Sequence, residues 1–218
     1  MTLKDIILNK TGLKDWYHTK RMETGFLYRE IENVVKKGHV FVDVGSHIGV
    51  YTKLASKLAG PKGIVHSFEP LPSNYNKLLK NVGGRINVKT YNNAVADFNG
   101  EKRFYESAKS NLDNSFYEGS EDRNIPHIVQ VVTLDSVLKH ADVIKIDVEG
   151  AEHLVLKGMK NILKNENVII FIEYLKKWGN PDPQFLEILF ENEFIVKPIY
   201  TESTFGNFMA DLICQRGI

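Results

Sequence analysis

The chain has 218 residues, 43% of them hydrophobic, enough to bury one full core, and its 28 Lys and Arg balance 27 Asp and Glu to leave a formal net charge of +1. That balance excludes a global positive field able to hold a polyphosphate backbone, so no nucleic acid partner is expected. The single cysteine, Cys214, fits a buried structural thiol in a reducing compartment, and with no run of about 18 apolar residues anywhere the chain reads as cytoplasmic, with no membrane partner.

Residues 1–38 read as an N-terminal helical segment, with Phe26, Leu27, Ile31, Val34 and Val35 at helical spacing in FLYREIENVVKKG and Gly38 as the stop. At residue 39 the period changes. HVFVDVG (39–45), IVHSFEP (64–70), INVKTYNNAV (86–95), DVIKIDVEG (142–150) and NVIIFIEY (167–174) are short β-branched runs. Helix-length segments lie at Tyr51 to Leu58, Pro72 to Val82, Ala151 to Leu163 and Pro183 to Asn192. Such alternation predicts βαβ crossovers and an α/β domain over 39–218, its mostly parallel sheet covered by helices on both faces. FIVKPIY (194–200) and ADLICQR (210–216) have only a loop between them, which suits a closing antiparallel hairpin. Residues 101–132 break the alternation, with two strand-like ends around a Ser, Asn, Asp and Gly-rich middle, and read as an insertion whose loop hangs over one edge of the sheet.

Ligands of open parallel sheets sit beyond the carboxyl ends of the strands, which makes VFVDVGSHIGVYT (40–52) the natural candidate loop. A dinucleotide loop needs a middle glycine where the backbone approaches the pyrophosphate, and here Gly45, Ser46, His47, Ile48 and Gly49 put an imidazole there. Asp43 would repel a dianion as well. Glu69, ending the second strand run, stands where an acid accepts hydrogen bonds from a ribose diol, and Asp97, Asp147, Glu149 and Glu173 stand at or just past other strand ends. A nucleoside with a cationic tail answers all of these, and S-adenosyl-L-methionine is such a molecule. A glycine turn after a strand is common in any α/β protein; Asp43 and Glu69, one strand-helix unit apart, turn it into a cofactor expectation.

VFVDVGSHIGVYT, VHSFEPLPSNYNKLLKNV, NNAVADFNGEKRFY and VVTLDSVLKHADVIKIDVEGAEHLVLKGMKNIL together resemble the FkbM-type S-adenosylmethionine-dependent methyltransferases over residues 21–175 or so. The resemblance implies a Rossmann-like class I methyltransferase fold, a seven-stranded sheet with an antiparallel last strand, preceded by extra N-terminal helices. It implies that Asp43, Gly45 and Gly49 frame the methionine end, with Ser46 and His47 in the same loop, and that Glu69, followed by Pro70, holds the ribose. Ala94, Val95 and Asp97 would edge the adenine, and Asp147 would close the site. Ser46-His47 stands where the family commonly has Ala-Asn, and His153 stands where the family fixes no residue.

Methyl transfer from a sulfonium is an in-line displacement, so alignment supplies much of the acceleration, and an alcohol acceptor must also lose a proton to a general base. Asp147, Glu149 and Glu173 are the expected catalytic acids, with His153 a further candidate base. Each has a plainer reading. Glu149 and Glu152 open a helix, where acids are stabilised by the dipole without catalytic duty; His153 suits a packed or solvated position; Lys145 either pairs with a site acid or extends its stem along apolar surface. Asp147, Glu149 and Glu173 are hard oxygen ligands of the kind magnesium accepts, yet no ligand spacing calls for a metal and none is expected. GNPDPQF (179–185) reads as a turn into a helix, with Pro183 suited to the first turn, and not as the proline-rich base-binding motif of amino-methylating enzymes, which would occupy the place of DVEG.

The expected function is methylation of a hydroxyl on a sugar or other small metabolite, with S-adenosyl-L-homocysteine as product. A nicotinamide oxidoreductase is disfavoured by His47 and Asp43; a non-catalytic cofactor-binding or scaffold protein of the same fold is the other alternative. Acceptor specificity is expected from the N-terminal helix, where Trp16, Tyr17, His18 and Arg21 cluster, and from the insertion at 107–127. The oligomeric state is not written in the sequence.

Overall fold

The runs VFVDV, VIKI and IIFI are apolar except for Asp43 and Lys145 and show no alternation of apolar with polar residues, so strands made from them are covered on both sides. A computed structural model describes residues 25–107, 116, 123–176, 184–204 and 207–217. Trp16, Tyr17, His18 and Arg21, most of the insertion's middle, and the stretch to Pro183 lie outside the described residues. In chain order the elements are α1 (Phe26–Val34), β1 (Val40–Val44), α2 (Val50–Ala59), β2 (Ile64–Phe68), α3 (Pro72–Val82), β3 (Val88–Tyr91), β4 (Ala94–Val95), β5 (Gly100–Ser107) and β6 (Arg123–Val132). There follow α4 (Leu134–Val137), β7 (Val143–Ile146), α5 (Glu152–Lys157), a 3-10 turn (Ile162–Lys164), β8 (Ile169–Lys176), α6 (Gln184–Glu191), β9 (Phe194–Thr204) and β10 (Asn207–Arg216).

Seven strands form one sheet in the order β3, β2, β1, β7, β8, β10, β9. The first five pair in parallel, whereas β10 runs antiparallel to both neighbours and so carries β9 at the edge. This is the mostly parallel sheet with a reversed last strand that the sequence predicts. Side-chain parity divides the core: Val42, Val44, Ile144, Ile146, Ile170 and Ile172 meet Val155 and Leu156 of α5 and Phe185 and Leu189 of α6. On the opposite face Phe41, Val65, Val143 and Phe171 meet Leu27 and Ile31 of α1 and Leu54, Ala55 and Ala59 of α2. Cys214 is buried in the first cluster, its thiol pushed up to about 12 by burial. Among the described residues no helix is long and apolar enough to cross a membrane.

Two expectations are corrected. INVKTYNNAV is not one strand: β3 belongs to the large sheet, while β4 starts a second sheet of order β4, β6, β5. The break falls at Asn92, whose side-chain amide donates to the carbonyls of Glu69 (2.8 Å) and Pro70 (2.9 Å) and anchors the chain as it leaves the large sheet. The strand-like ends of the insertion are β5 and β6, so its described part is a packed layer in which Ala94, Ala96, Phe104, Phe116, Val129 and Val131 form their own core. The helix expected from Ala151 to Leu163 stops at Lys157, and the chain turns before the 3-10 segment.

Gly158 stands at that stop. A Cβ there would lie 2.0 Å from the carbonyl oxygen of Ala96 and 2.9 Å from its carbon, so the end of α5 touches the backbone that follows β4. The Gly158 carbonyl also accepts the N–H of Asp135 at 3.1 Å, tying α4 to the same point. Gly158→Ala is expected to cost about 1–3 kcal/mol, the range for overpacking against a backbone that cannot yield; a urea unfolding midpoint equal to wild type would show that the two segments are not in contact.

Candidate active site

Strand order reverses direction between β1 and β7, the switch point at which an open parallel sheet leaves a crevice. A cavity of about 590 Å³ opens there, over the carboxyl ends of the strands. The turn after β1 forms its base. Gly45 and Ser46 donate their N–H groups to the Phe68 carbonyl at 3.1 and 3.0 Å, and the Ser46 hydroxyl donates to the same oxygen at 3.1 Å. Gly45 is at φ +77, and a Cβ there would sit 1.8 Å from the Asp147 carbonyl oxygen, so only glycine lets β1 and the end of β7 meet. Gly49, also left-handed at φ +84, faces away from the cavity: its Cβ would strike Leu78 of α3 at 2.4 Å. Its glycine is a packing requirement.

Lys145 of β7 is 2% exposed and sits at the centre of the polar network. Its Nζ donates to the Gly45 carbonyl and to Asp147 Oδ2, both at 3.0 Å, lies 3.7 Å from Asp43 Oδ1, and stands 5.3 Å above the Tyr51 ring. Burial opposes its charge most strongly, yet Asp147 and Asp43 outweigh burial and hold the ammonium above its ordinary range. Asp43 is fully buried; its Oδ2 accepts the Thr52 hydroxyl at 2.6 Å, which in turn lies 2.9 Å from the Ser67 hydroxyl. Burial raises Asp43 despite the lysine, whereas Asp147, for which burial is also the largest influence, is pulled below its ordinary range by Lys145 and by a hydrogen bond to Glu173. The nearer carboxylate captures the charge.

Five carboxylates line the cavity, namely Glu69, Asp147, Glu149, Glu173 and Asp211, and among the described lining residues Lys145 is the one lysine or arginine. Glu69 accepts the N–H groups of His47 (2.9 Å) and Leu71 (3.0 Å), and burial pushes it up to about 7 against those bonds. Glu173 is raised well above the usual carboxylate range by the charge of Asp147, then by burial and by its hydrogen bond to Asp147. The pair therefore shares a proton. Glu149 holds the left-handed conformation at φ +55, an uncommon backbone state for a residue with a side chain and one found at functional sites. Burial and then the charge of Asp147 push Asp211 up to about 6. One oxygen from each of Asp147, Glu149 and Glu173 can be chosen so that all lie within 4.8 Å of one another. That trio can hold a divalent cation or share protons; the Asp147–Glu173 hydrogen bond is the second arrangement.

Of the predicted residues, Gly45, Ser46, His47, Glu69, Pro70, Ala94, Val95, Asp147, Glu149 and Glu173 meet at this cavity. Asp43, Gly49 and Asp97 do not line it. Asp43 lies behind the turn and acts on the cavity through Lys145. Asp97 lies near His153, whose imidazole is lowered first by burial and then by Lys157, and His153 is likewise not a lining residue. Glu152 is buried at the start of α5, where it accepts the Gly150 N–H at 2.9 Å and supports the loop that carries Glu149. Sequence reasoning missed Asp211, Tyr51, Phe26 and Tyr200 in the wall, together with Phe104 of the second sheet and Phe116, which packs against it. The strand-end rule that found Glu173 would not have found Asp211, which enters the wall from the reversed strand.

A family model described as the methyltransferase FkbM domain matches residues 43–195. The hexuronic acid methyltransferase AglP of Haloferax volcanii is 32% identical over 141 residues, which cover 60% of this chain and 54% of that protein. The chain thus spans about half the length of that relative. The structure of methyltransferase FkbM from Methylobacillus flagellatus KT is similar with a TM-score of 0.55 at 14% identity, over 81% of this chain and 43% of that one. Aeropyrum pernix fibrillarin, solved with natively bound S-adenosyl-L-methionine, is similar with a TM-score of 0.50 at 14% identity, over 82% of this chain and 68% of that one. Identities this low establish the fold, and the family rests on the matched domain: the chain belongs to the FkbM methyltransferases, built on the class I S-adenosylmethionine-dependent methyltransferase fold.

Proposed function

We propose that the protein transfers a methyl group from S-adenosyl-L-methionine to a hydroxyl oxygen of a sugar or similar small metabolite, releasing S-adenosyl-L-homocysteine. The observation that carries this reading is the acidity of the cavity: among the described lining residues five acidic side chains face one lysine, which is already matched by Asp147 and Asp43. A dianionic pyrophosphate would be repelled, whereas a ligand with an ammonium and a sulfonium is attracted. The turn at Gly45, Ser46 and His47 would receive the amino-acid end, Glu69 the ribose hydroxyls, and Pro70, Ala94 and Val95 the adenine. The name of the hexuronic acid relative supports a sugar-like acceptor.

The bound cofactor supplies an electrophilic methyl carbon. The remaining work falls to the chain's own groups. Lys145 keeps Asp147 ionised and the turn at Gly45 in place. Glu149 and Glu173, beside Asp147, stand where an acceptor hydroxyl would enter, and Glu173 receives the proton that leaves as the hydroxyl oxygen becomes an ether oxygen. It must be ionised to do so, and its raised pKa means that this form is lost as pH falls through it.

Isothermal titration with S-adenosyl-L-methionine, S-adenosyl-L-homocysteine and NAD is expected to give binding for the first two and none for the third; silence from both adenosyl ligands would leave a scaffold of the same fold. Glu69→Gln is expected to weaken S-adenosyl-L-methionine about tenfold through lost hydrogen bonds to a charged acceptor, and unchanged affinity would remove Glu69 from the ribose role. In steady-state assays the turnover of the wild type should rise with pH through the ionisation of Glu173. Glu173→Gln should lower kcat by roughly a hundredfold or more and abolish that limb while sparing cofactor affinity; a variant that keeps the wild-type profile would exclude Glu173 as the base.

A further inference from the structure

The cavity extends past the groups assigned to the cofactor, across β8, β10 and β9, and this end has its own construction. Glu173, Asp211 and Tyr200 are register partners across the three strands, Asp211 opposite Glu173 on one side and opposite Tyr200 on the other. Partners in register share a face, so the three form one row. The register then shifts: Leu212 pairs with Pro198, which leaves Ile199 as an extra residue in β9. Without that bulge Ile199 and Tyr200 would point to opposite faces. With it, Ile199 packs in the cluster of α1 and α2 while Tyr200, the next residue, stacks on Phe26 of α1 with centroids 5.3 Å apart at 14°. Bulges beside sites re-aim side chains in this way. Phe26, 57% exposed, Tyr200 and Met209 all line the cavity. Phe26, Tyr200, Met209 and Asp211 also lie outside the matched residues 43–195.

A stacked aromatic pair beside a row of acidic side chains is complementary to a ring with an apolar face and donor hydroxyls on its edge. It is hostile to an anion. A carboxylate on the acceptor would face Glu149, Asp211 and the Asp147–Glu173 pair, whose single shared proton leaves it one negative charge, and among the described lining residues the one lysine or arginine, Lys145, is already bound to Asp147. We propose that the Glu173–Asp211–Tyr200 row with Phe26 is the acceptor subsite, and that it takes an uncharged polyhydroxylated ring, a neutral glycoside, and rejects a hexuronate. This rests on the methyl-transfer reading and separates the chain from its hexuronic acid relative.

The test uses the full chain saturated with S-adenosyl-L-methionine, whose own affinity is titrated in parallel. Methyl glucoside, galactoside and mannoside are compared with the three matching methyl hexuronides by ligand-observed NMR. The hexosides are expected to bind and the hexuronides to bind at least about tenfold more weakly, as like-charge juxtaposition demands. Tyr200→Ala and Phe26→Ala should each weaken the hexosides about tenfold, with Tyr200→Phe close to wild type and cofactor affinity unchanged in all three. Asp211→Asn should bring the two series closer, a change that a merely structural role would not produce. Hexuronides binding as well as hexosides, or no hexoside binding beside intact cofactor binding, overturns the subsite and leaves the methyl-transfer reading standing. Absence of cofactor binding in the wild type overturns that reading and the subsite with it.

Discussion

A lysine ammonium buried between two parallel strands is the constraint around which this molecule is arranged. Lys145 occupies a strand position where its neighbours Ile144 and Ile146 are core residues, and taking its charge out of water costs several kcal/mol unless partners surround it. Those partners are drawn from three places in the chain. The Gly45 carbonyl fixes the turn after β1, Asp147 fixes the end of β7, and Asp43 with Thr52 fixes the start of α2. The crevice at the switch point is thus bordered by a charge network as well as by the fold: Lys145 pulls Asp147 below its ordinary range, while burial raises Glu69 and Asp211 and the charge of Asp147 raises Glu173.

Much of this architecture was legible because parallel strands advertise themselves as short β-branched runs spaced by helices. The reversed closing strand followed from the absence of a helix between the last two runs. Glu69, Asp147 and Glu173 were found by one physical rule, that ligands sit beyond strand ends, and all three face the cavity. Asp43 and Gly49, which the resemblance set at the cofactor's methionine end, do not line the cavity, because position in the turn does not say whether a residue looks into the crevice or behind it. Asp43 looks toward α2, and Gly49 meets Leu78.

What could not be read lay where side-chain direction depends on partners distant in sequence. INVKTYNNAV has the composition of one strand and is divided by the hydrogen bonds of Asn92 to the loop after β2. Phe104 and Phe116 look like packing residues of a hairpin, and only the second sheet brings them against Ala94 and the cavity. The direction of Tyr200 is set by the bulge at Ile199, and a bulge leaves no pattern of apolar and polar residues by which its position could be told.

The place of β10 in the sheet has a kinetic consequence. β9 touches no parallel strand; it is joined to the sheet through β10 alone, which comes after it in the chain. The half of the crevice between β2 and β8 is complete once β8 has docked. The far wall, with Asp211 and Tyr200, depends on β10 pairing along β8, the pairing that joins both closing strands to the sheet. Such non-local, late pairing is slow relative to helix and hairpin formation. The two halves of the crevice therefore rest on different kinds of pairing, and a ligand that touches only the half over β2, β1 and β7 has no direct hold on the hairpin, whereas one that reaches across β8 is coupled to it.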